Sequence, residues 1–263
     1  MSDRSLAGRV AIVSGAGEGI GRSCALAFAR DGADVALGAR RAEQLERVAH
    51  EVEVLGRRAL AVPTDIADEA QCARLVDRTV EELGRVDAVV NVAALSDDHT
   101  EVVDTDWDVF RRVFEVNVLG TLAVSRAAAR HMAARDGGGA IVQISSTAMR
   151  SVPAKQAPYA STKQALVAAS QVMAREVGRD GVRVNVVVPG YVTGPHLDGL
   201  FARIAEHRGW TTDQVVAEAE GLTALGRIPS PDDVAEAVLF LASDRAAGIT
   251  GAVLDVNAGL WIG

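Results

Sequence analysis

Residues 10–30 read VAIVSGAGEGIGRSCALAFAR. Val10, Ala11, Ile12 and Val13 form a short apolar run of the kind that makes a buried strand. Ser14, Gly15, Ala16, Gly17, Glu18, Gly19, Ile20 and Gly21 follow, and 22–30 reads as a helix with Ala25, Leu26 and Phe28 turned inward. Strand, glycine-rich turn and helix form the context that a phosphate-binding loop requires. Glycines let the backbone approach a pyrophosphate, and the free N–H groups of the helix start point at it. The alternative is a tight turn with no ligand.

Working outward, a second strand over 33–38 ends in Gly38-Ala39-Arg40-Arg41. A carboxylate at this strand end would bond the adenosine ribose 2′-OH and select NAD. Two arginines stand there instead, and a guanidinium fork can hold a 2′-phosphate, so NADP is favoured and NAD is the alternative. Against this, Glu18 is a poor neighbour for a phosphate, and Arg40 and Arg41 also suit the solvated start of the helix over 42–55. A third strand, 59–62, leads to Thr64-Asp65-Ile66. Asp65 lies where an adenine ring could sit, or else caps the amphipathic helix over 69–83. The fourth strand, 86–90, ends in Asn91-Val92-Ala93-Ala94. Strand and helix thus alternate, which predicts an α/β fold with a doubly wound parallel sheet, right-handed crossovers and ligands at the carboxyl ends of the strands.

A long helix region over 106–135 contains Asn117 within an apolar stripe. A buried amide needs partners, so Asn117 marks either a local kink or part of a site. The next strand includes Ile141, Val142 and Ile144 and delivers Ser145 and Ser146 at its end. After Pro153 and Pro158 comes a helix carrying Tyr159 and Lys163, four residues apart on one face. An ammonium beside a phenol favours the phenolate, so Lys163 is expected to lower the Tyr159 pKa and fit it for proton transfer near neutral pH. The Ala-rich helix over 165–178 suits close packing, possible against a second subunit. The strand over 182–188 ends in Pro189-Gly190-Tyr191-Val192-Thr193. There the alternation breaks. Residues 194–225 read as two short helices with Leu197, Leu200, Phe201, Ile204 and Trp210 on apolar faces. An insertion at a carboxyl end sits over the site, as a substrate lid or as a surface helical hairpin. A helix over 231–242, with Ser230 or Asp232 near its start, and a strand over 251–256 complete the chain. No repeat, low-complexity tract or domain boundary interrupts it.

Composition narrows the function classes. At 263 residues, with 49% hydrophobic residues and 25 glycines, the chain suits one α/β domain whose sheet is covered on both faces. A net charge of −8 argues against nucleic acid or an anionic membrane as partner, so an anionic ligand must be held by local donors. Cys24 and Cys72 have no ligand spacing, which predicts a reduced, cytoplasmic setting without a structural disulfide and no metal site. The polar start, MSDRSLAGR, lacks an apolar signal segment, and no apolar run approaches the ~20 residues of a membrane span.

With these pieces in order, the chain resembles the short-chain dehydrogenase/reductase family over nearly its whole length. Ser14-Gly15 stands where that family has Thr-Gly, with Gly19 and Gly21 in register. Asn91-Val92-Ala93-Ala94 stands where it has Asn-Asn-Ala-Gly, departing at two positions. Pro189-Gly190 matches its Pro-Gly segment, Thr193 stands one residue early for its nicotinamide-side threonine, and Met149 replaces a frequent glycine. The resemblance implies a Rossmann fold with a seven-stranded parallel sheet, and Asn117, Ser146, Tyr159 and Lys163 as catalytic residues. It implies Tyr159 as proton donor, Ser146 as hydrogen-bond donor to the substrate oxygen, Lys163 on the nicotinamide ribose, and Asn117 holding a water that links Lys163 to solvent. Cofactor contacts are expected from Ser14, Gly15, Gly17, Glu18, Gly19, Ile20, Gly21, Arg40, Arg41, Asp65, Ile66, Asn91, Ala93, Tyr159, Lys163, Pro189, Gly190, Val192 and Thr193. The expected activity is hydride transfer between a nicotinamide cofactor, NADPH before NADH, and a small alcohol or ketone, in a homotetramer or homodimer. The alternatives are an NAD-dependent alcohol or sugar dehydrogenase and a nucleotide-binding redox sensor without chemistry.

Overall fold

In the computed structural model, which describes residues 5–97 and 99–263, seven strands form one all-parallel sheet in the order β3-β2-β1-β4-β5-β6-β7. The first four residues of the polar N-terminal stretch lie outside the described residues. The elements run β1 (Val10–Ser14), α1 (Ile20–Arg30), β2 (Asp34–Ala39), α2 (Ala42–Val54), β3 (Ala59–Pro63), α3 (Glu69–Leu83) and β4 (Ala88–Asn91). Then come α4 (Trp107–Phe114), a π-helical segment (Glu115–Gly120), α5 (Thr121–Ala133), β5 (Gly139–Ile144), the short α6 (Ala148–Ser151) and α7 (Ala157–Val177). The chain closes with β6 (Val182–Pro189), α8 (Pro195–Arg208), α9 (Thr212–Gly221), α10 (Pro231–Ala242) and β7 (Val253–Val256).

Side chains alternate across the strands, so each strand feeds two cores. Ala11, Val13, Val35 and Leu37 pack with Phe28 of α1, Leu45 of α2 and Val238 of α10. Val10, Ile12, Ala36 and Val89 pack on the other face with Leu75 of α3 and Val124 and Met132 of α5. The sheet also buries polar groups, and three side chains pair there: Asn91 Nδ2 donates to Ser125 Oγ (3.0 Å) and to Gln143 Oε1 (2.9 Å), and Gln143 Nε2 donates to Ser125 Oγ (2.9 Å). Among the described residues no helix is long and apolar enough to cross a membrane. Cys24 and Cys72 are buried and unpaired.

Three expectations need correction. The region over 106–135 is not one helix: the ladder widens into a π turn at Glu115–Gly120, which holds Asn117. The helix expected to carry Tyr159 and Lys163 and the one expected over 165–178 are a single helix, α7, with Tyr159 and Lys163 in its first two turns. Asp65 does not cap α3; Asp68 does, accepting from the Ala70 and Gln71 N–H groups, while the Asp65 carboxylate folds onto the Ala67 N–H at 3.1 Å.

Candidate active site

The strand register lines up the carboxyl ends. Ser14 of β1 stands opposite Gly38 of β2 on one side and Asn91 of β4 on the other. The chain leaving Ser14 turns at Gly15 with φ 93°, and the Gly15 and Ala16 N–H groups donate to the Gly38 carbonyl at 2.6 and 3.1 Å. Gly15 lies directly on Ala93, where any Cβ would collide with backbone, and a Cβ on Gly21 would collide with the Gly15 carbonyl. Ala93 in turn donates its N–H to the Ser14 carbonyl at 3.1 Å. Gly19 has φ 83° and open space where a side chain would be. It starts α1 with no side-chain cap and no acid in the first turn. A glycine-lined hollow at an uncapped helix start fits a pyrophosphate group. The buried Ser14 Oγ beneath it has no hydrogen-bond partner among the described residues.

Beside this hollow the end of β2 is cationic. Arg40 and Arg41 at the end of β2 are exposed, and among the described residues neither has an ion-pair partner. Glu18 is drawn off by Arg47 of α2, 3.8 Å away. Gln44 of α2, only 6% exposed, sets its amide against Gly17, 3.4 Å from where a Cβ would stand. Ile66 is buried, and its carbonyl sits against Gly120 of the π turn, where no side chain would fit. Asp65 stands half-exposed, 3.7 Å from Arg112. The Asn91 amide nitrogen is taken up inside the sheet, and its Oδ1 is buried with no hydrogen-bond partner among the described residues.

The polar and titratable groups expected to be catalytic gather near the ends of β4 and β5 and the start of α7. Ser145 is buried and donates to the Lys163 carbonyl at 3.1 Å, tying β5 to α7. Ser146 is half-buried; its Oγ accepts from the Ala148 N–H at 3.2 Å. Lys163 is 2% exposed, and its Nζ donates to the Ile144 carbonyl at 2.9 Å and lies 5.5 Å from the centre of the Tyr159 ring. Burial with no carboxylate beside it pushes the ammonium pKa down to about 8. Asn117 is 1% exposed and grips the loop after β4: the Leu95 N–H donates to its Oδ1 at 2.7 Å, and its Nδ2 donates to the Leu95 carbonyl at 2.9 Å and to Thr162 Oγ1 at 3.2 Å. The π turn supplies the extra residue that aims this amide at α7. π turns recur at functional sites for this reason.

The Tyr159 phenol departs from the sequence expectation. Its pKa is raised, not lowered: burial is the largest cause, Asp97 adds to it, and the Ser146 hydroxyl, by hydrogen bonding, pulls the other way. The neighbouring ammonium is itself weakened by burial and turned toward Ile144, so its charge does not dominate the phenol. Asp97, which the sequence reading passed over, has a side chain 1% exposed and accepts from the Tyr159 N–H at 3.0 Å. Gln44 and Arg47 were passed over too. Their positions in the first two turns after Arg40-Arg41 are the only trace that the sequence carries of them.

Past β6, the Pro189 carbonyl accepts from the Thr147 N–H (2.9 Å), joining this segment to the one after Ser146. Gly190 packs on Asn257, 3.0 Å from where a Cβ would stand. Val192 is half-buried; Thr193 is exposed and donates its N–H to the Pro229 carbonyl at 2.9 Å. Helices α8 and α9 then make a small core of their own from Leu197, Phe201, Ala205, Val215, Ala219 and Ile228.

A family model described as "Enoyl-(Acyl carrier protein) reductase" matches residues 15–261. The fold also matches a solved structure titled a short-chain type dehydrogenase/reductase from Mycobacterium ulcerans, with TM-score 0.89, 34% identity, and 97% of this chain and 90% of that one covered. The chain is a short-chain dehydrogenase/reductase. Two curated members are similar along their whole length. L-rhamnose 1-dehydrogenase (NAD(P)(+)) of Sphingomonas sp. (strain SKA58) is 36% identical over 260 residues, covering 98% of each chain. Versicolorin reductase 1 of Aspergillus parasiticus is 37% identical over 266 residues, covering 99% of this chain and all of the other. As a short-chain dehydrogenase/reductase it is an NAD(P)-dependent oxidoreductase of the alcohol–ketone class, and the glycine hollow fits the pyrophosphate of that cofactor.

Proposed function

We propose that this enzyme interconverts a secondary alcohol and a ketone, preferring NADPH and working as a ketone or 3-oxoacyl-type reductase. The observation that carries the chemistry is the convergence of Ser146, Tyr159, Lys163 and Asn117 at the strand ends beside the glycine hollow. When bound, a nicotinamide cofactor would supply the hydride chemistry at the substrate carbon. Ser146 and Tyr159 donate hydrogen bonds to the substrate oxygen and stabilise its alkoxide character, and Tyr159 gives its proton in reduction and takes one in oxidation. Lys163, pushed to about 8, is still mostly protonated at neutral pH, and by family resemblance it contacts the nicotinamide ribose. Asn117 fixes the loop and the helix that face each other across the site, and by family resemblance holds the water that links Lys163 to solvent.

Support for NADPH comes from Arg40 and Arg41, which have no acidic partner among the described residues, and from Arg47, which offsets the charge of Glu18 from 3.8 Å. The apolar residues of 194–225 support a lid over a partly hydrophobic substrate. The exposed Trp261 and Ile262, together with β7 as an open sheet edge, suit a homotetramer or homodimer, and the buried unpaired cysteines suit a reduced cytoplasm. Paired fluorescence titrations with NADPH and NADH test the cofactor reading. Clearly tighter NADPH binding is expected. Tighter NADH binding would replace it with the second reading, an NAD-linked alcohol or sugar dehydrogenase, which Glu18 in the glycine loop favours. Turnover of a ketone panel that disappears in Tyr159→Phe is the expected result for the chemistry. Tight nucleotide binding with no turnover would point to a redox sensor.

A further inference from the structure

Helix α7 begins without the usual cap. Its N-cap residue, Gln156, makes no side-chain bond to the first turn. Tyr159 is the third residue of the helix, and its N–H has no carbonyl within the helix to reach. It donates instead to Asp97 Oδ2 at 3.0 Å, across 62 residues of sequence. A carboxylate at a helix start is well placed against the helix dipole. The rest of Asp97 is unusual. Its side chain is 1% exposed, and its Oδ1 has no hydrogen-bond partner among the described residues. The half-exposed His99 stands on the same loop, with its Nδ1 3.6 Å from Asp97 Oδ1.

We propose that Asp97 is a positioning residue for Tyr159, closing the open start of α7 and setting both the place and the charge environment of the phenol. The inference rests on the reading of Tyr159 as the proton-transfer group. Two anchors then hold the loop after β4 against α7. Asn117 binds Leu95 and Thr162, and Asp97 binds the backbone of Tyr159 itself. The groups that face this point are His99 from the loop, Lys163 from α7, the Ser146 hydroxyl from the end of β5, and, farther out, the ion pair of Lys155 with Glu101 at 3.5 Å. None of these meets the Tyr159 N–H, which donates to Asp97. Its negative charge makes loss of the phenol proton harder, in the same direction as burial.

Two readouts need neither substrate nor cofactor. The chain has two tyrosines, so Tyr191→Phe leaves Tyr159 as the only phenol, and its ionisation can be followed by near-ultraviolet absorbance against pH. In that background Asp97→Asn keeps an acceptor for the Tyr159 N–H and removes the charge. The expected result is a midpoint lower by about half a pH unit or more. At neutral pH, amide exchange at Tyr159 is expected to stay slow in Asp97→Asn and to rise about fivefold or more in Asp97→Ala, which removes the cap. An unchanged phenol midpoint in Asp97→Asn, or unchanged exchange in Asp97→Ala, overturns the proposal. If instead both shifts occur while Tyr159→Phe still turns substrate over, Asp97 positions Tyr159 as proposed and the assignment of Tyr159 to proton transfer fails.

Discussion

Asn117 and Leu95 satisfy each other completely: the Leu95 N–H donates to Asn117 Oδ1 at 2.7 Å, and Asn117 Nδ2 donates back to the Leu95 carbonyl at 2.9 Å. A third bond, from Nδ2 to Thr162 Oγ1, ties the pair to α7. Only a primary amide can give and take in this way. Asn117→Ala leaves two buried backbone groups unpaired and is expected to cost about 3 kcal/mol in denaturant unfolding. Asn117→Asp, which turns an acceptor toward the Leu95 carbonyl, is expected to cost at least as much. An alanine variant of wild-type stability would show that the loop finds other partners.

Lys163 predicts a conflict between stability and activity. Its folded-state pKa, about 8, lies below the ordinary 10.5. Between those values the unfolded chain binds more protons than the folded one, so this group makes stability rise with pH across that window. Below about pH 8 the full penalty applies, on the order of 3 kcal/mol. Lys163→Met removes the buried ammonium and is expected to raise Tm at pH 7 by about 5 °C while abolishing turnover. Its advantage should shrink toward pH 10. Thermal scans at the two pH values check the sign, and a less stable variant at pH 7 would sink the argument.

Much of this was legible from the residues alone, where the signal is local. The amphipathic pattern predicts 69–83 and 231–242 with the bounds found for α3 and α10, because Asp68 and Ser230 cap them from the adjacent sequence. The glycine stretch predicts its own turn because a positive φ at Gly15 and Gly19 needs glycine. Val86 is buried like a strand residue, yet β4 begins only at Ala88, since burial and ladder pairing are different things. The π turn leaves no periodic mark; one extra residue near Asn117 looks like an imperfect helix. Asp97 sits in a loop without periodicity, 62 residues from the N–H it binds. The direction of the Tyr159 shift depends on burial against charge, which only the assembled fold decides.

Cofactor preference is expected to follow Arg40 more than Arg47. A 2′-phosphate held by a guanidinium fork contributes a charge-assisted bond, so Arg40→Ala should weaken NADPH binding about tenfold or more and leave NADH nearly unchanged. Arg47 acts at one remove, through an exposed contact to Glu18. Arg47→Ala should weaken NADPH binding only about threefold, and Glu18→Gln should restore it. Fluorescence titrations of the three variants, single and combined, check the order. Equal losses for both nucleotides in Arg40→Ala would mean that the arginine supports the fold of the loop and not the phosphate.

Helices α8 and α9 pack on each other around a cluster of their own. Phe201 is 2% exposed and meets Tyr191 edge-on, with ring centres 5.5 Å apart, at the heart of a cluster that shares no buried residue with the two sheet cores. Gly194 at one end has φ 135° and ψ 176°, a conformation open essentially to glycine alone, and Gly226 beyond the other end has φ 63°. Deleting a buried phenyl ring typically costs 3–5 kcal/mol, ~4 in the middle of that range. Here the loss falls on a cluster that can open without the sheet. Phe201→Ala is therefore expected to raise KM for substrate about tenfold, leave nucleotide binding unchanged, and speed amide exchange in α8 and α9 well before the strands. If the strands exchange faster by the same factor, the hairpin is an integral part of the main fold and its motion does not gate the site.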